Sequence, residues 1–351
     1  RSSKKVVERP HSALKAAGWD MDVIEVQRQR APQMGQFLRR ALHFRRMTRD
    51  IEQMLEKVEA PDLLIVHDIE TLTAATRVAK NWSINIVYDC HEHWPFLISE
   101  NSWLEALAAD IIERLYVRHA THVVTVSESI ADRFRRMGLP TTVLYNARPR
   151  SEIHPMSTIE ARKHLDIPPG AFVMGFIGNT DQLLKHDAPI DYILDAMHSI
   201  PEAHLLIVGG PNHEWIEATA RDYGLIERVH VYGPVPYATL EPFYGALDLG
   251  LVPLSNIPKY NVSMGNKVFD YMARGIPLFV PETAKECAAL VRREECGWTY
   301  EPRMFAPILN TIAHNKDERL RRGFYGRAAF DYQYCWDRQA PTFVRVCESL
   351  I

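Results

Sequence analysis

Two short stretches concentrate groups able to do chemistry. Tyr88 to Pro95 reads YDCHEHWP, with Asp89, Cys90, His91, Glu92 and His93 in succession. Ser263 to Pro281 reads SMGNKVFDYMARGIPLFVP, with Lys267 and Asp270 three residues apart behind Gly265 and Asn266. The first stretch admits three chemistries. A zinc site needs three or four ligands converging at about 2.0–2.3 Å. His91 and His93 are two residues apart, not at HExxH spacing, and on a strand they share one face. A third ligand has to come from elsewhere, so no metal is assigned. The other two readings are a cap on a strand end and a polar wall that contacts substrate.

In the second stretch, Gly265 and Asn266 open a short helix, and Gly275-Ile276-Pro277 close it ahead of a strand. Unpaired N–H groups at a helix start favour an anion such as a diphosphate, or a sugar hydroxyl. Asp270, one turn in, can accept both hydroxyls of a ribose. Lys267 faces either a phosphate or Asp270 itself, as an i,i+3 ion pair on an ordinary surface helix.

These stretches need a frame. The chain has 351 residues, 46% of them hydrophobic and 24% charged, with net charge −3. That length supports two domains with separate cores. Continuous apolar runs closed by polar residues read as buried parallel strands: DLLIVHD (62–68), INIVYD (84–89), HVVTVS (122–127) and TTVLYN (141–146). MDVIEV (21–26) is a further strand, and helical segments alternate with all of these, among them a long one over 36–58. RPRSEIHPMS (148–157) is polar, holds two prolines and reads as a linker. A second α/β series follows: FVMGFIG (172–178), HLLIVGG (204–210), VHVYG (229–233), LGLVPL (249–254) and PLFVP (277–281), then a mostly helical tail over 309–351. The fold class is α/β, with two Rossmann-like domains in series. Ligands of such sheets sit beyond the C-terminal ends of the strands. His67 and Asp68, Asp89 to Trp94, and Gly178 onward are therefore the places to look.

Five scattered cysteines without a CxxC pair suit reduced thiols. No run reaches the roughly 18 apolar residues of a membrane span. The chain opens RSSKKVVERP, without Met or a signal-peptide core, so the expectation is a cytoplasmic protein whose true N-terminus lies upstream. The sequons at Asn81 and Asn261 are then chance matches. Residues 1–50 carry 12 Lys and Arg against 5 acids, and seven arginines fall within 28–49. Arg39, Arg40, Arg45 and Arg46 interleave with Phe37, Leu38, Ala41, Leu42 and Phe44. This basic amphipathic helix suits an anionic membrane surface or acidic acceptor, or is a solvated face with snorkelling arginines.

Over nearly its whole length the chain resembles the GT-B glycosyltransferases of the family 4 type. The resemblance rests on Asn266–Pro277, on GFIGNTDQLLKHD (175–187), on VYGPVPYATLEPFY (231–244) followed by DLGLVP, and on VHD, YDCHEHWP, VVTVSESI and VLYN at strand ends. It implies two Rossmann-like domains facing across a cleft: 1–150 for the acceptor, its first strand missing, 151–330 for the donor, and 331–351 as a helix packing back on the N-terminal domain. Lys185 stands where the family binds phosphate, beside Gly178 and Asn179. Gly265, Asn266 and Lys267 serve the same donor, Asp270 takes the ribose, and Val235 and Pro236 border the base. His91 would hydrogen-bond the transferred sugar, with Glu92 orienting it or an acceptor hydroxyl. His67 and Asp68 are secondary.

The function implied is transfer from a nucleotide-diphosphate sugar, a UDP-sugar by preference, to a glycan or lipid-linked acceptor. It implies retention by front-face attack, no metal and no cofactor, in surface polysaccharide or glycoconjugate synthesis, peripheral to the inner face of the membrane and without nucleic acid. Two positions depart from the pattern. Val262 stands where the family's first acid is expected, and Thr180 where an arginine is usual. A UDP-sugar 2-epimerase on this fold and a catalytically silent binding module remain the alternatives.

Overall fold

The computed structural model describes residues 2–23, 37–99, 102–184 and 189–351. Most of the strand expected at 21–26, and the basic loop at Lys185, lie outside them. The chain divides into two compact units, Arg1–Tyr145 with Gln339–Ile351, and Asn146–Arg338.

The first unit holds β1 (Leu63–His67), β2 (Asn85–Cys90), β3 (His122–Thr125) and β4 (Thr141–Val143). All pair in parallel, in chain order. Its helices are α1 (Ser2–Ala16), α2 (Phe37–Leu55), α3 (Asp68–Trp82), α4 (Trp94–Ser99), α5 (Trp103–Val117) and α6 (Glu128–Arg135). Right-handed crossovers between strands laid down in one direction put α3, α5 and α6 on one face of the sheet. Ser102 and Ser127 cap α5 and α6 through their hydroxyls. The core joins Ile86, Tyr88 and Val123 of the strands to Leu72, Ile130 and Phe134 of the helices. Residues from the end of the chain complete this unit. Gln339 Nε2 donates to the Tyr145 carbonyl at 3.0 Å, Asn85 Nδ2 donates to that of Leu350 at 2.6 Å, and Phe343 and Cys347 are buried.

The second unit is a six-stranded parallel sheet. Its strands are β5 (Phe172–Ile177), β6 (Ala203–Val208), β7 (Val229–Tyr232), β8 (Leu249–Leu251), β9 (Leu278–Pro281) and β10 (Gly297–Tyr300), in the order β10-β9-β8-β5-β6-β7. β10 has no counterpart in the sequence reading, because GWTY is too short to show a period. The order reverses direction between β5 and β8. That is the topological switch point at which doubly wound sheets open a crevice. Every residue of β5 and β6 is buried, as expected for strands covered by helices on both faces.

Candidate functional site

In the first unit the chemistry gathers where β1 and β2 end. The parallel register places His67 beside Asp89. Asp89 and His91 are two residues apart, so their side chains leave on the same side. His91 Nε2 lies 3.1 Å from Asp89 Oδ2, and the two hydrogen-bond. His67 Nδ1 lies 2.9 Å from the same oxygen, at ion-pair distance but without an aligned hydrogen bond. The two imidazoles stack, with centroids 5.8 Å apart and planes 12° apart. Asp89 is 3% exposed. Burial would raise its pKa, but His91 and His67 together hold it below the usual carboxylate range. Burial works against charge on His91, yet Asp89, helped by Asp68 and Glu92, raises its pKa to about 9. At neutral pH His91 is therefore an imidazolium, a donor rather than a base.

The rest of YDCHEHWP divides by alternation. Cys90 turns into the core toward Glu113. His93 leaves the cluster: its Nδ1 accepts from the Phe96 amide at 3.3 Å, its ring stacks on Phe96, and burial lowers its pKa to about 4. It is a neutral cap on α4. Glu92 acts on His91 through charge, while Asp89 makes the hydrogen bond. Asp89 is the residue that sequence reasoning passed over, although strand alternation would have paired it with His91. Asp68 opens α3 with φ of +65°, a left-handed turn uncommon outside glycine. Thr71 holds that turn by donating to the carbonyls of His67 and Asp68. The side chain capping α3 is therefore not that of Asp68, and His67 is the N-cap residue.

Among the described residues, His67, Asp89 and His91 also form a group able to hold a metal ion, since their donor atoms all lie within 4.8 Å of one another. The third ligand that spacing alone did not supply comes from the neighbouring strand, and His93 is not part of the set. Asp89 meanwhile hydrogen-bonds His91 and lies at ion-pair distance from His67.

In the second unit the site forms at the switch point. Gly178 follows β5 with φ of +153°, and its amide donates to the Val208 carbonyl at 2.9 Å. A Cβ at Gly209, φ +140°, would meet the Gly178 carbonyl oxygen at 1.8 Å, so the turns after β5 and β6 touch because Gly209 has no side chain. Lys267 enters this turn from the helix Asn266–Met272. Its Nζ donates to Gln182 Oε1 at 2.6 Å, lies 3.9 Å from the centre of the Phe176 ring, and would sit 3.2 Å from a Cβ at Gly178. Among the described residues it has no carboxylate partner, and burial lowers its pKa to about 7. The i,i+3 pair with Asp270 is not formed.

Asp270 is occupied differently. Its Oδ1 accepts from Arg148 Nε at 3.1 Å and from the Tyr237 hydroxyl at 3.2 Å, with Arg274 Nη1 at 3.8 Å. Arg148 lies over the Tyr237 ring at 3.1 Å, and Arg274 also donates to Glu241 and to the Tyr237 hydroxyl. Burial and the Asp270 charge raise the Tyr237 pKa to about 12. Among the described residues no hydrogen bond is recorded at Oδ2, which leaves that oxygen for a ligand hydroxyl. Arg148, Tyr237 and Arg274 were not read from the sequence, although the last two stand inside the quoted motifs.

The remaining positions are quieter. Asn179 Oδ1 accepts from the Asp181 amide at 3.0 Å, which shapes the turn. Thr180 is fully buried, and its hydroxyl accepts from the Asn212 amide at 3.0 Å, so this position ties two loops together. The Pro236 carbonyl accepts from Thr239 N and Oγ1. Gly265 precedes the helix in extended conformation, and Asn266 is exposed. Lys185 lies outside the described residues. Arg39 and Arg40 fall in α2 with only their backbone described, and Arg45 and Arg46 are exposed on it. A cavity of about 220 Å³ opens beside Asp248 and Pro277, and Glu241 and Arg274 of the Asp270 network form part of its wall.

Residues 5–147 match the family model described as Glycosyl transferase 4-like domain, and residues 171–315 that of Glycosyl transferases group 1. D-inositol 3-phosphate glycosyltransferase of Corynebacterium urealyticum is 26% identical over 207 residues, which are 55% of this chain and 47% of that protein. The chain thus spans about half the length of this curated relative. Among solved structures, sucrose-phosphate synthase from Thermosynechococcus elongatus aligns with a TM-score of 0.77 at 19% identity, covering 98% of this chain and 92% of its own. HepE from Anabaena in complex with UDP aligns at 0.69 and 18% identity, covering 87% and 82%. At such identities the likeness is one of fold.

Proposed function

Because the chain belongs to the GT-B glycosyltransferases, with a glycosyl transferase 4-like domain ahead of a group 1 domain, we propose that it moves a sugar from a nucleotide-diphosphate sugar to an acceptor hydroxyl. The observation that carries this reading is the Lys267 ammonium, set against the Gly178 turn without a carboxylate. Desolvation without a counter-ion disfavours the charged form of this half-buried lysine, and an anion bound beside it restores the charge. A diphosphate beside it leaves Asp270 Oδ2 to accept ribose hydroxyls. HepE, solved with UDP and with UDP-glucose, supports a uridine nucleotide as the donor here.

In the reaction, Lys267 and the amides at the start of its helix neutralise charge that develops on the leaving diphosphate. Gly178, Asn179, Gly265, Asn266 and the backbone of Val235 frame the nucleotide. His91, held charged by Asp89, donates a hydrogen bond to the sugar, and Glu92, His67 and Asp68 contact the sugar or the acceptor. As an imidazolium His91 does not take the acceptor proton, which accords with front-face attack, retention, and the leaving phosphate acting as base. Metal independence, a glycan or lipid-linked acceptor, surface polysaccharide synthesis and an anionic surface met by Arg39, Arg40, Arg45 and Arg46 complete the reading. A silent binding module is the second reading, favoured by Val262 and by a Thr180 turned to structural use.

A thermal-shift screen of UDP, GDP, ADP and their sugars tests the donor, because a ligand of the folded state raises its melting temperature. UDP-sugar hydrolysis, and transfer to a panel of acceptors, separates enzyme from silent module. Conversion of UDP-GlcNAc without any acceptor would instead identify an epimerase.

A further inference from the structure

Beside the Asp270 network, the cavity of about 220 Å³ gathers a second group of charges: Glu241, Asp248, Arg274, Lys316 and Arg319. Its volume falls short of the roughly 300–1,000 Å³ of drug-sized sites, so an occupant is small. The charges on its wall do not balance. Arg274 takes up Glu241, reaching its carboxylate through both Nε and Nη2. Arg162 takes up Asp248, which also accepts from the Val173 amide at 2.8 Å. Lys316 and Arg319 are left over, and among the described residues neither forms an ion pair.

Arg319 is the informative one. It stands one turn into the helix Lys316–Ala329 and is only 8% exposed. Its Nη1 donates to the carbonyls of Ile312 and Ala313, each at 2.6 Å, and its guanidinium lies 4.9 Å from the centre of the Phe172 ring. These contacts hold the group in place. Among the described residues no hydrogen bond is recorded at Nε or Nη2, which leaves both for a ligand. Burial works against the charge on Arg319, with Asp248 favouring it and Arg162 opposing it. An anion in the cavity would favour that charge.

We propose that this cavity binds a small phosphate ester, its phosphate on Arg319 and Lys316 and its carbon body against Met156 and Leu247 of the wall, and that occupancy tunes nucleotide affinity through Arg274. A guanidinium offers paired donors that match phosphate oxygens, and Lys316 adds the second positive charge that a dianion calls for. Arg274 is the shared element. It lines the cavity, donates to the Asp270 carbonyl at 2.9 Å, and lies 3.8 Å from the Asp270 carboxylate. A dianion in the cavity gives this guanidinium another charge to answer and so alters how Asp270 is held. The site is independent of the transferase reading, while its effect on the nucleotide rests on it.

Calorimetric titration of glycerol 3-phosphate into the full chain carrying Lys267→Met tests the site, because that background lacks the phosphate contact proposed for the nucleotide. Binding should be severalfold tighter than that of inorganic phosphate. Lys316→Ala should weaken it roughly tenfold, the scale of one charge-assisted contact, and Arg319→Gln should abolish it. Lys316 is exposed, so its variant keeps the comparison if Arg319→Gln fails to fold. No binding, or binding that these variants leave unchanged, overturns the site. Equal affinity for inorganic phosphate overturns the choice of an ester. In the parent, saturating glycerol 3-phosphate should shift UDP affinity by about fivefold or more, and Lys316→Ala should remove the shift. A shift that survives in Lys316→Ala marks competition at the nucleotide and overturns the coupling, as does no shift at all. A chain that binds glycerol 3-phosphate yet no nucleotide would sink the transferase reading and leave the site standing.

Discussion

His91 Nε2 and Asp89 Oδ2 lie 3.1 Å apart on a buried carboxylate that also faces His67 at 2.9 Å. One carboxylate thus sets both the orientation and the charge of the imidazole expected to touch the sugar. A histidine with its folded pKa raised from 6.5 to about 9 contributes stability that is fully present below pH ~6.5 and is lost as pH rises through about 9. Replacing Asp89 by Asn should remove that slope. Melting temperature followed from pH 6 to 10 checks it, and an unchanged slope in Asp89→Asn would show that the charge on His91 has another source.

Asp89→Asn should also act on turnover more than on donor affinity. A neutral imidazole donates a weaker hydrogen bond, and charge-assisted bonds are about twice as strong as neutral ones. The kcat for transfer should fall on the order of tenfold or more, with donor KM little changed. A variant that loses donor binding in proportion would place Asp89 in ground-state recognition instead.

Burial lowers the Lys267 pKa to about 7, and a diphosphate binds only its protonated form well. Donor affinity should hold below pH ~7 and decline above it, with proton uptake on binding at higher pH. Calorimetry in two buffers of different ionisation enthalpy reads the proton count directly. Affinity flat from pH 6 to 9 would contradict this assignment.

Asp270 carries a structural duty as well as the proposed ribose contact, so Asp270→Ala is an ambiguous probe. It leaves half-buried Arg148 and Arg274 with only their second partners, Glu152 and Glu241. Losing the shared carboxylate and its hydrogen bond from Tyr237 should cost about 1–3 kcal/mol and lower the melting temperature by a few degrees. Asp270→Asn keeps the shape and should lose less stability while still weakening nucleotide binding. Equal melting temperatures for Asp270→Ala and the parent would show that the Arg148–Tyr237–Arg274 network does not depend on this residue.

Chelation separates the two uses of the His67, Asp89 and His91 cluster. Transfer should be unaffected by EDTA, and zinc should bind weakly. Activity lost to EDTA and restored by a divalent ion, together with loss of metal binding in His67→Ala, would assign the cluster to a metal.

Much of this architecture is legible in the sequence, for identifiable reasons. Buried parallel strands such as LLIVH and FVMGFI are continuous apolar runs, and the motif around Asn266–Pro277 fixes a helix at a strand end. The contacts that charge the site are less legible. His67 meets Asp89 only through β1–β2 register, and Arg148 meets Asp270 across 122 residues of chain. YDCHEHWP looks like one cluster, yet alternation sends Asp89 and His91 one way and Cys90 another, while helix capping removes His93. No periodicity analysis separates residues that close together without knowing where the strand stops.

The most direct test of the central claim is calorimetric titration of UDP into the protein and into Lys267→Met at pH 6.5. Measurable binding to the parent and at least a tenfold loss in the variant are expected, the scale of one charge-assisted contact of about 1.5–3 kcal/mol. Equal affinity in the two proteins, or no binding of any nucleoside diphosphate to the parent, would contradict it.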